Sequence, residues 1–465
     1  MAMNFIQAVS IYFYLSVLYV ATAYFNKQSE PKISDSCFCQ LKGQVDDCTC
    51  NVGTVDYFNN IKIYPRLQSL LTKDYFRFYK VNLKCGCPFW SDDSRCSIRF
   101  CHVEPCSEHD VPAGIKGYNE NTVHHIEEAA FKYTEAAQTS DCNSDVDNEL
   151  GYLNKTISKA SYEEFELWKA YDDVQDNFCV INEESEDSDY VDLTLNPERY
   201  TGYKGKSAHR VWHSIYKENC FRVENSYGAY IQSSKLDGMC LEKRAFYRVI
   251  SGLHASINIH LCANYLLSEK NTFGSPKGVW GPNVGEFNRR FSLESTSGEG
   301  PQWLKNLYFL YLLELRALAK ASTFLERDEF YTGNDKEDEE VRDAVSDLLK
   351  VIKAFPEHFN ETAMFNGGKE AQTLKEEFKQ HFRNISRIMD CVGCDKCKLW
   401  GKLQIHGIGT ALKILFSGRF EERNLPALSR QQFQLKRGEI VALFNSFGRL
   451  STSIFKLEGF RNIKR

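Results

Sequence analysis

Three cysteines fall within seven residues late in the chain, Cys391-Val-Gly-Cys394-Asp-Lys-Cys397. On a helix, positions i, i+3 and i+6 drift along one side, so Cys394 can bond Cys397 inside a single element while Cys391 is left to be tied elsewhere. Two chemistries suit such a triplet. A closed zinc site needs four ligands, usually two CxxC-like pairs or a CxxC followed by a close pair of histidines. His406 is near, but no second CxxC and no HxxxH follows it. A redox pair needs less: a CxxC thiol near a helix N-terminus has its thiolate stabilised by the helix dipole, and the thiolate is the form that attacks disulfides. The redox reading is the better supported, with a zinc scaffold as the rival.

Seventeen cysteines in 465 residues, clustered at Cys37, Cys39, Cys48 and Cys50, at Cys85, Cys87, Cys96, Cys101 and Cys106, and in the late triplet, point to an oxidising compartment. The first residues agree. Phe5 to Ala23 is almost uncharged and apolar and ends in Ala21-Thr22-Ala23, an A-x-A pattern, so residues 1–23 are expected to be a signal peptide, with a membrane anchor as the alternative. No later segment is comparably apolar, which predicts a lumenal or secreted chain. The triplets at Asn154, Asn360 and Asn384 fit the N-glycosylation pattern of that route. The last residues carry no K-D-E-L type signal, so retention would need a partner. A net charge of -5, with no Lys/Arg-dense stripe, argues against a nucleic-acid surface and for protein or small-molecule partners.

Along the chain, the C-x-C-x8-C-x-C run of residues 37–50 predicts a small loop pinned by bridges. Tyr57 to Leu83 reads as short helices. Cys96 and Cys101 lie in a polar neighbourhood, which suggests an exposed loop whose disulfide another protein could reach. Residues 107–195 are polar and acidic and read as solvated loop, with Cys142 and Cys179 unassigned on local grounds. From residue 196 onward helical patterns dominate: Glu242 to Leu267, Leu304 to Leu325, Glu340 to Ala354, Lys369 to Val392, Leu403 to Phe416 and Arg437 to Leu457. The Leu304 stretch is apolar all round, as a central buried helix is. Ser251, His254 and Ser256 sit among apolar residues, small polar groups that suggest a pocket. The prediction is a mainly α fold, a bundle of about ten helices. Gly407-Ile-Gly409 lacks a third glycine and follows a helix, so no Rossmann turn is present. Any nucleotide cofactor would be held between helices.

Cys87-Pro-Phe-Trp90, Cys96-x4-Cys101, Asn196-Pro-Glu-Arg-Tyr-Thr-Gly-Tyr-Lys-Gly205, Ser251-Gly-Leu-His-Ala-Ser-Ile-Asn258 and Asn384-Ile-Ser-Arg-Ile-Met-Asp-Cys-Val-Gly-Cys394 together resemble the endoplasmic reticulum oxidoreductin-1 family, over nearly the whole chain beyond the leader. The resemblance implies a flavin-dependent thiol oxidase of the endoplasmic reticulum lumen that oxidises protein disulfide isomerase and supports oxidative protein folding. Cys96 and Cys101 would be the outer shuttle pair and Cys394 and Cys397 the inner pair, with electrons passing to FAD and on to molecular oxygen as hydrogen peroxide. Arg199, Thr201, Tyr203, Trp212, Ser251, His254 and Arg290 would line the FAD site. One departure is evident: after Gly-Glu-Gly-Pro this chain has Gln302 and Trp303 where many relatives have a basic residue, leaving Lys305 or Arg289 to compensate. The structural bridges implied are Cys37–Cys50, Cys39–Cys48, Cys87–Cys391 and Cys220–Cys240. A regulatory rearrangement would pair Cys96 with Cys142 and Cys101 with Cys106. Cys85, Cys179 and Cys262 have no assigned partner.

The implied organisation is a leader at 1–23 and one catalytic domain over 24–465: a disulfide-stapled part at 37–106 with a mobile shuttle loop, a polar region at about 107–195, and an FAD-binding helical core at about 196–465. Peripheral association with the lumenal membrane face is compatible with this. The rivals from other classes are a non-enzymatic disulfide-rich secreted binding protein and the zinc scaffold.

Overall fold

A computed structural model describes residues 50–87, 89, 98–107, 109–116, 187–198, 205–220, 236, 239–268, 278–357, 369–415 and 435–462. These residues are mainly helical, and helix follows helix from the first described residues. Asn51 caps α1 (Val52–Phe58) by accepting the Gly53 N–H at 2.9 Å. A π-helical turn, Asn59–Ile63, leads into α2 (Tyr64–Leu70), and α3 (Asp74–Arg77) runs straight into strand β1 (Phe78–Val81). After α4 (Ile98–Cys101) comes β2 (Asp189–Asp192), then α5 (Gly205–Asn219) and α6 (Leu241–Ala263). A hairpin of β3 (Tyr265–Ser268) and β4 (Val279–Gly281) leads to α7 (Val284–Phe291), α8 (Gly300–Leu325), α9 (Asp335–Lys353), α10 (Lys369–Met389), α11 (Asp395–Leu415) and α12 (Arg437–Asn462).

The core forms around α8. Leu304 through Leu315 is buried apart from Lys305, so this helix has no solvent face over three turns and every neighbour packs on apolar surface. Its partners are α6, α11, α12 and α9. Two contacts depend on glycine. A Cβ at Gly252 of α6 would strike the Asn306 carbonyl of α8, and one at Gly407 of α11 would strike the Ala442 carbonyl and the Ser446 side chain of α12. Gly407 therefore serves helix packing.

Polar ties fix the outer helices. Tyr308 on α8 donates to Asp56 of α1 at 2.5 Å, and Arg461 of α12 holds the other Asp56 oxygen at 2.7 Å. The strands are short. β1 pairs antiparallel with β2, with Phe78 opposite Asp192 and Val81 opposite Asp189, so the acidic stretch read as solvated loop ends in a strand. The helix expected to reach Leu267 stops at Ala263: Asn264 leaves helical geometry at φ -118° and ψ 48°, and Tyr265 begins the hairpin. No helix among the described residues is long and apolar enough to cross a membrane.

Candidate active site

Helix α10 ends at Met389 and α11 starts at Asp395, so the cysteine triplet straddles a break between two helices. Cys397 alone lies on the helix proper. This corrects the single-helix geometry, and it places the CxxC at a helix N-terminus, where unpaired N–H groups and the dipole favour negative charge. Cys394 is bonded to Cys397 and Cys391 to Cys87, a tie spanning 304 residues of sequence. Both sulfurs of the inner pair are fully buried. The Cys397 backbone N–H points at Cys394 Sγ, 3.3 Å away, and that of Lys398 donates to the Cys394 carbonyl at 2.7 Å. With all three sulfurs in disulfides, the triplet offers no thiolate to a zinc ion.

Two lysines on α11 hold the segment that carries Cys87. Lys398 Nζ donates to the carbonyls of Leu83, at 3.0 Å, and Cys85. Lys402 Nζ reaches the Asn82 carbonyl at 3.1 Å and the Asp390 carboxylate at 2.6 Å. Burial pulls the Lys398 ammonium below its ordinary pKa, against the attraction of Asp390.

The Cys101 segment packs against the helix that begins at the Cys394–Cys397 disulfide. Helix α4 packs on α11, and Cys101 at its end is buried and disulfide-bonded. Cys96 and Cys142 lie outside the described residues. Cys106 is a half-buried free thiol with its pKa raised by burial, so the Cys101–Cys106 pairing is not formed here. Three contacts hold the chain around Cys101. Phe100 meets Trp280 of β4 edge-on, ring centroids 5.4 Å apart. His102 Nδ1 lies 3.6 Å from Asp395 Oδ2. The backbone of Glu104 is gripped by the Asn196 side chain, which accepts from its N–H at 2.6 Å and donates to its carbonyl at 3.0 Å. The carbonyl of Asn196 in turn accepts from Trp400 Nε1, on the turn of α11 after Cys397. Glu198 pairs with Arg449 of α12, whose guanidinium lies over the Trp400 ring.

The residues expected around a flavin divide between described and undescribed. Arg199, Thr201 and Tyr203 lie outside the described residues. Trp212 of α5 stacks on His254 of α6, centroids 3.9 Å apart and planes 15° from parallel. Tyr216 bonds His254 Nδ1 at 3.3 Å, and burial with the nearby Arg290 pushes that imidazole down to about 3, so it is neutral. Arg290 on α7 is oriented by Glu286 at 2.8 Å and Asn258 at 2.6 Å. Ser251 lies deeper, accepting from Asn306 at 2.9 Å in the α6–α8 contact. Arg289, a candidate substitute for the basic residue absent at Trp303, is engaged with Glu286 at 2.6 Å.

Other cysteines depart from expectation or fall beyond view. Cys240 is an exposed thiol that precedes α6, so the Cys220–Cys240 bridge is not formed in this structure. Cys37, Cys39 and Cys48, the expected partners around Cys50, lie outside the described residues, as does Cys179. Cys262 is a buried core thiol whose pKa burial pushes up to about 12. Asn384 and Ser386 of the third glycosylation triplet are buried on α10; the triplets at Asn154 and Asn360 are not described. Sequence reasoning missed Asn196, Trp400, Lys398, Lys402, His102 and Asp395 as site-building residues. Asn196 and Asp395 stood inside quoted motifs, and the other four follow closely on the two cysteine pairs.

A helical bundle that buries a CxxC disulfide at a helix N-terminus, under a turn carrying a second disulfide-bonded cysteine, has the parts of a thiol–disulfide oxidoreductase. The family model described as Endoplasmic Reticulum Oxidoreductin 1 matches residues 62–457. The Ero1-like protein of Drosophila melanogaster is 56% identical over 95% of this chain and 94% of its own length. The ERO1-like protein alpha of Homo sapiens is 49% identical over 96% of each. A solved structure described as Ero1p, source of disulfide bonds for oxidative protein folding in the cell, aligns with a TM-score of 0.57 at 27% identity, covering 88% of this chain and 97% of that one. The chain belongs to the endoplasmic reticulum oxidoreductin-1 family and is an enzyme, a thiol oxidase.

Proposed function

We propose that this thiol oxidase takes electrons from protein disulfide isomerase through Cys96–Cys101, relays them to Cys394–Cys397, and delivers them to molecular oxygen by way of FAD, in the lumen of the endoplasmic reticulum. The observation that carries the reading is the packing of the Cys101 turn on the helix whose first turn holds the buried Cys394–Cys397 disulfide. Residues 1–23 are its leader and 24–465 its catalytic domain.

Buried sulfurs cannot meet a large protein substrate, so an outer couple must make that contact. A partner thiolate attacks Cys96 Sγ and releases the Cys101 thiolate. The partner's second thiol resolves the mixed disulfide, and the partner leaves oxidised. The Cys101 thiolate then attacks Cys394 Sγ, breaking the bond to Cys397. Attack by Cys96 on Cys101 Sγ regenerates the shuttle disulfide. Two electrons and two protons have moved from the partner dithiol to Cys394 and Cys397. The leaving Cys397 sulfur lies in the first turn of α11, where the dipole stabilises its charge.

The residues present fit a flavin dinucleotide. Trp212 stacked on half-buried His254 offers a flat aromatic face, and Arg290, held by Glu286 and Asn258, offers a pre-oriented guanidinium of the kind that forks onto phosphate. Bound FAD would supply a two-electron acceptor for the inner dithiol and the route to oxygen, with hydrogen peroxide as product. Ser251, fixed by Asn306, and the neutral imidazole of His254 complete the wall on α6.

The test is direct. Purified protein is expected to be yellow, with a flavin absorption band, and to produce peroxide from reduced isomerase in air. Cys394→Ala is expected to abolish that turnover while leaving the colour. Full turnover in Cys394→Ala, or a colourless wild-type protein that consumes no oxygen, would sink the reading.

A further inference from the structure

We infer that His102 and Asp395 form an electrostatic latch that registers Cys101 against Cys394 during exchange between the two couples, a role that rests on the outer and inner assignments above. His102 follows Cys101 directly, and Asp395 lies between the two cysteines of the inner pair in sequence. Their side chains meet at 3.6 Å across the contact of α4 with α11. Among the described residues His102 is the basic side chain within ion-pair distance of Asp395. Two of the nearby lysines are hydrogen-bonded to other groups, Lys398 to the carbonyls of Leu83 and Cys85 with Asp395 only one of several charges acting on it, and Lys402 to Asp390.

Asp395 alone has a structural explanation, since an acid at the first position of a helix complements the dipole. That explanation does not extend to His102, which is 66% exposed and could point to solvent. It also leaves a chemical difficulty. A carboxylate next to Cys394 and two residues before Cys397 disfavours the thiolate on which exchange depends. The docked shuttle turn answers it by setting the His102 imidazole, a group that carries positive charge when protonated, 3.6 Å from the Asp395 carboxylate as Cys101 approaches. When the turn lifts to meet a substrate, the pair separates at little cost, because an exposed pair contributes only a small free energy. A weak contact suits a part that must dock and release in every cycle.

The inference is tested in the full chain carrying Cys96→Ala and Cys397→Ala, which leaves one thiol in each couple. Equilibration with reduced and oxidised glutathione forms the Cys101–Cys394 disulfide at the expense of glutathione disulfide, yielding two reduced glutathione molecules per bond. Acid quench, alkylation and peptide mapping give its equilibrium constant, the effective concentration of Cys101 at Cys394. An intact Cys87–Cys391 bridge in the same map reports a native fold. His102→Gln and Asp395→Asn are each expected to lower the constant by about two- to five-fold, the range of exposed ion pairs, with the double variant no lower than either single one. His102→Asp is expected to lower it further, and the exchanged pair His102→Asp with Asp395→His to restore it. Multiplicative losses in the double variant, unchanged single variants or an exchanged pair that fails to recover would overturn the latch. The readout needs neither flavin nor oxygen, so an error in the electron acceptor would not affect it. A parent that forms no Cys101–Cys394 bond would overturn the couple assignment, and the latch with it.

Discussion

Trp400 donates its indole N–H to the backbone carbonyl of Asn196 at 2.7 Å, and through that one residue the inner-pair helix, the Cys101 segment and β2 are joined. The Asn196 side chain also takes the Glu104 N–H, donates to the Glu104 carbonyl and donates to the Asp192 carbonyl at 3.0 Å. Asn196 is fully buried, so no water replaces these bonds when they are lost. Asn196→Ala is expected to cost about 2–4 kcal/mol, from three bonds at ~1 kcal/mol each and the groups left unsatisfied. Equilibrium denaturation measures it. The same variant is expected to slow oxidation of a protein dithiol more than that of a small dithiol, because the shuttle segment loses its anchor. A stability loss within about 0.5 kcal/mol of zero would remove Asn196 from this role.

Cys101→Ala separates the two stages. Oxidation of the protein partner is expected to fail, while a small dithiol able to reach Cys394–Cys397 is still oxidised. Oxygen consumption with each substrate reads both at once. Equal loss on the two substrates would argue against a shuttle.

The aromatic wall is open to a binding measurement. Trp212 is almost fully buried and stacks on His254 at 3.9 Å, so Trp212→Ala removes a flat face and leaves a cavity. Its expected result is protein purified with a smaller ratio of flavin to protein absorbance, partly restored by added FAD. Trp212→Phe, which keeps a ring, is expected to lose less. An unchanged ratio in both variants would place the flavin elsewhere.

Much of this architecture was legible because apolar periodicity survives where helices bury one kind of surface. Leu304 to Leu325 and Arg437 to Leu457 were recognisable as helices, and the spacing of Cys394 and Cys397 announced a bridge within one turn. The start of α11 was not legible: it contains Lys396, Lys398 and Lys402, a residue type that is almost never buried unless paired, yet all three are buried and the last two end on backbone carbonyls of the Cys87 segment. Charge hidden by long-range hydrogen bonds carries no periodic signal. Local pattern could not indicate which chain Asn196 would hold, since Glu104 lies 92 residues away in sequence. Nor could it show that Leu266 would enter a hairpin, because a short apolar run continues a helix or starts a strand equally well.

His260 uses both ring nitrogens on one residue. Nε2–H donates to the Arg449 carbonyl at 3.0 Å, and Nδ1 accepts from the Arg449 guanidinium at 3.0 Å, so the imidazole is held neutral. Burial pushes its pKa down from 6.5 to about 4. A depressed native pKa means that the unfolded chain binds the proton first. The stability is present above pH ~6.5 and is lost as pH falls toward about 4, at up to about 1.4 kcal/mol per pH unit for this group. Chemical denaturation of wild type and His260→Gln between pH 7 and 4.5 is expected to show a shallower acid loss in the variant. Parallel curves would mean that His260 titrates normally.

Glu314 predicts the opposite slope. It is fully buried on α8, Ser446 of α12 donates to its Oε1 at 2.6 Å, and Oε2 has no partner among the described residues. Burial raises its pKa from 4.5 to about 8, so the folded protein keeps the proton that the unfolded chain releases. The contribution is complete below pH ~4.5 and is lost as pH rises toward about 8, again at about 1.4 kcal/mol per pH unit. Between pH 6.5 and 8 the His260 limb is silent, which isolates this one. Glu314→Gln keeps an oxygen for the Ser446 hydroxyl and has no proton to lose. The variant is expected to be flatter than wild type over that window and more stable at pH 8, by about 1–3 kcal/mol once relaxation of the site is allowed for. Equal slopes, or a variant less stable at pH 8, would show that the Glu314 carboxylate is charged and satisfied in the folded protein.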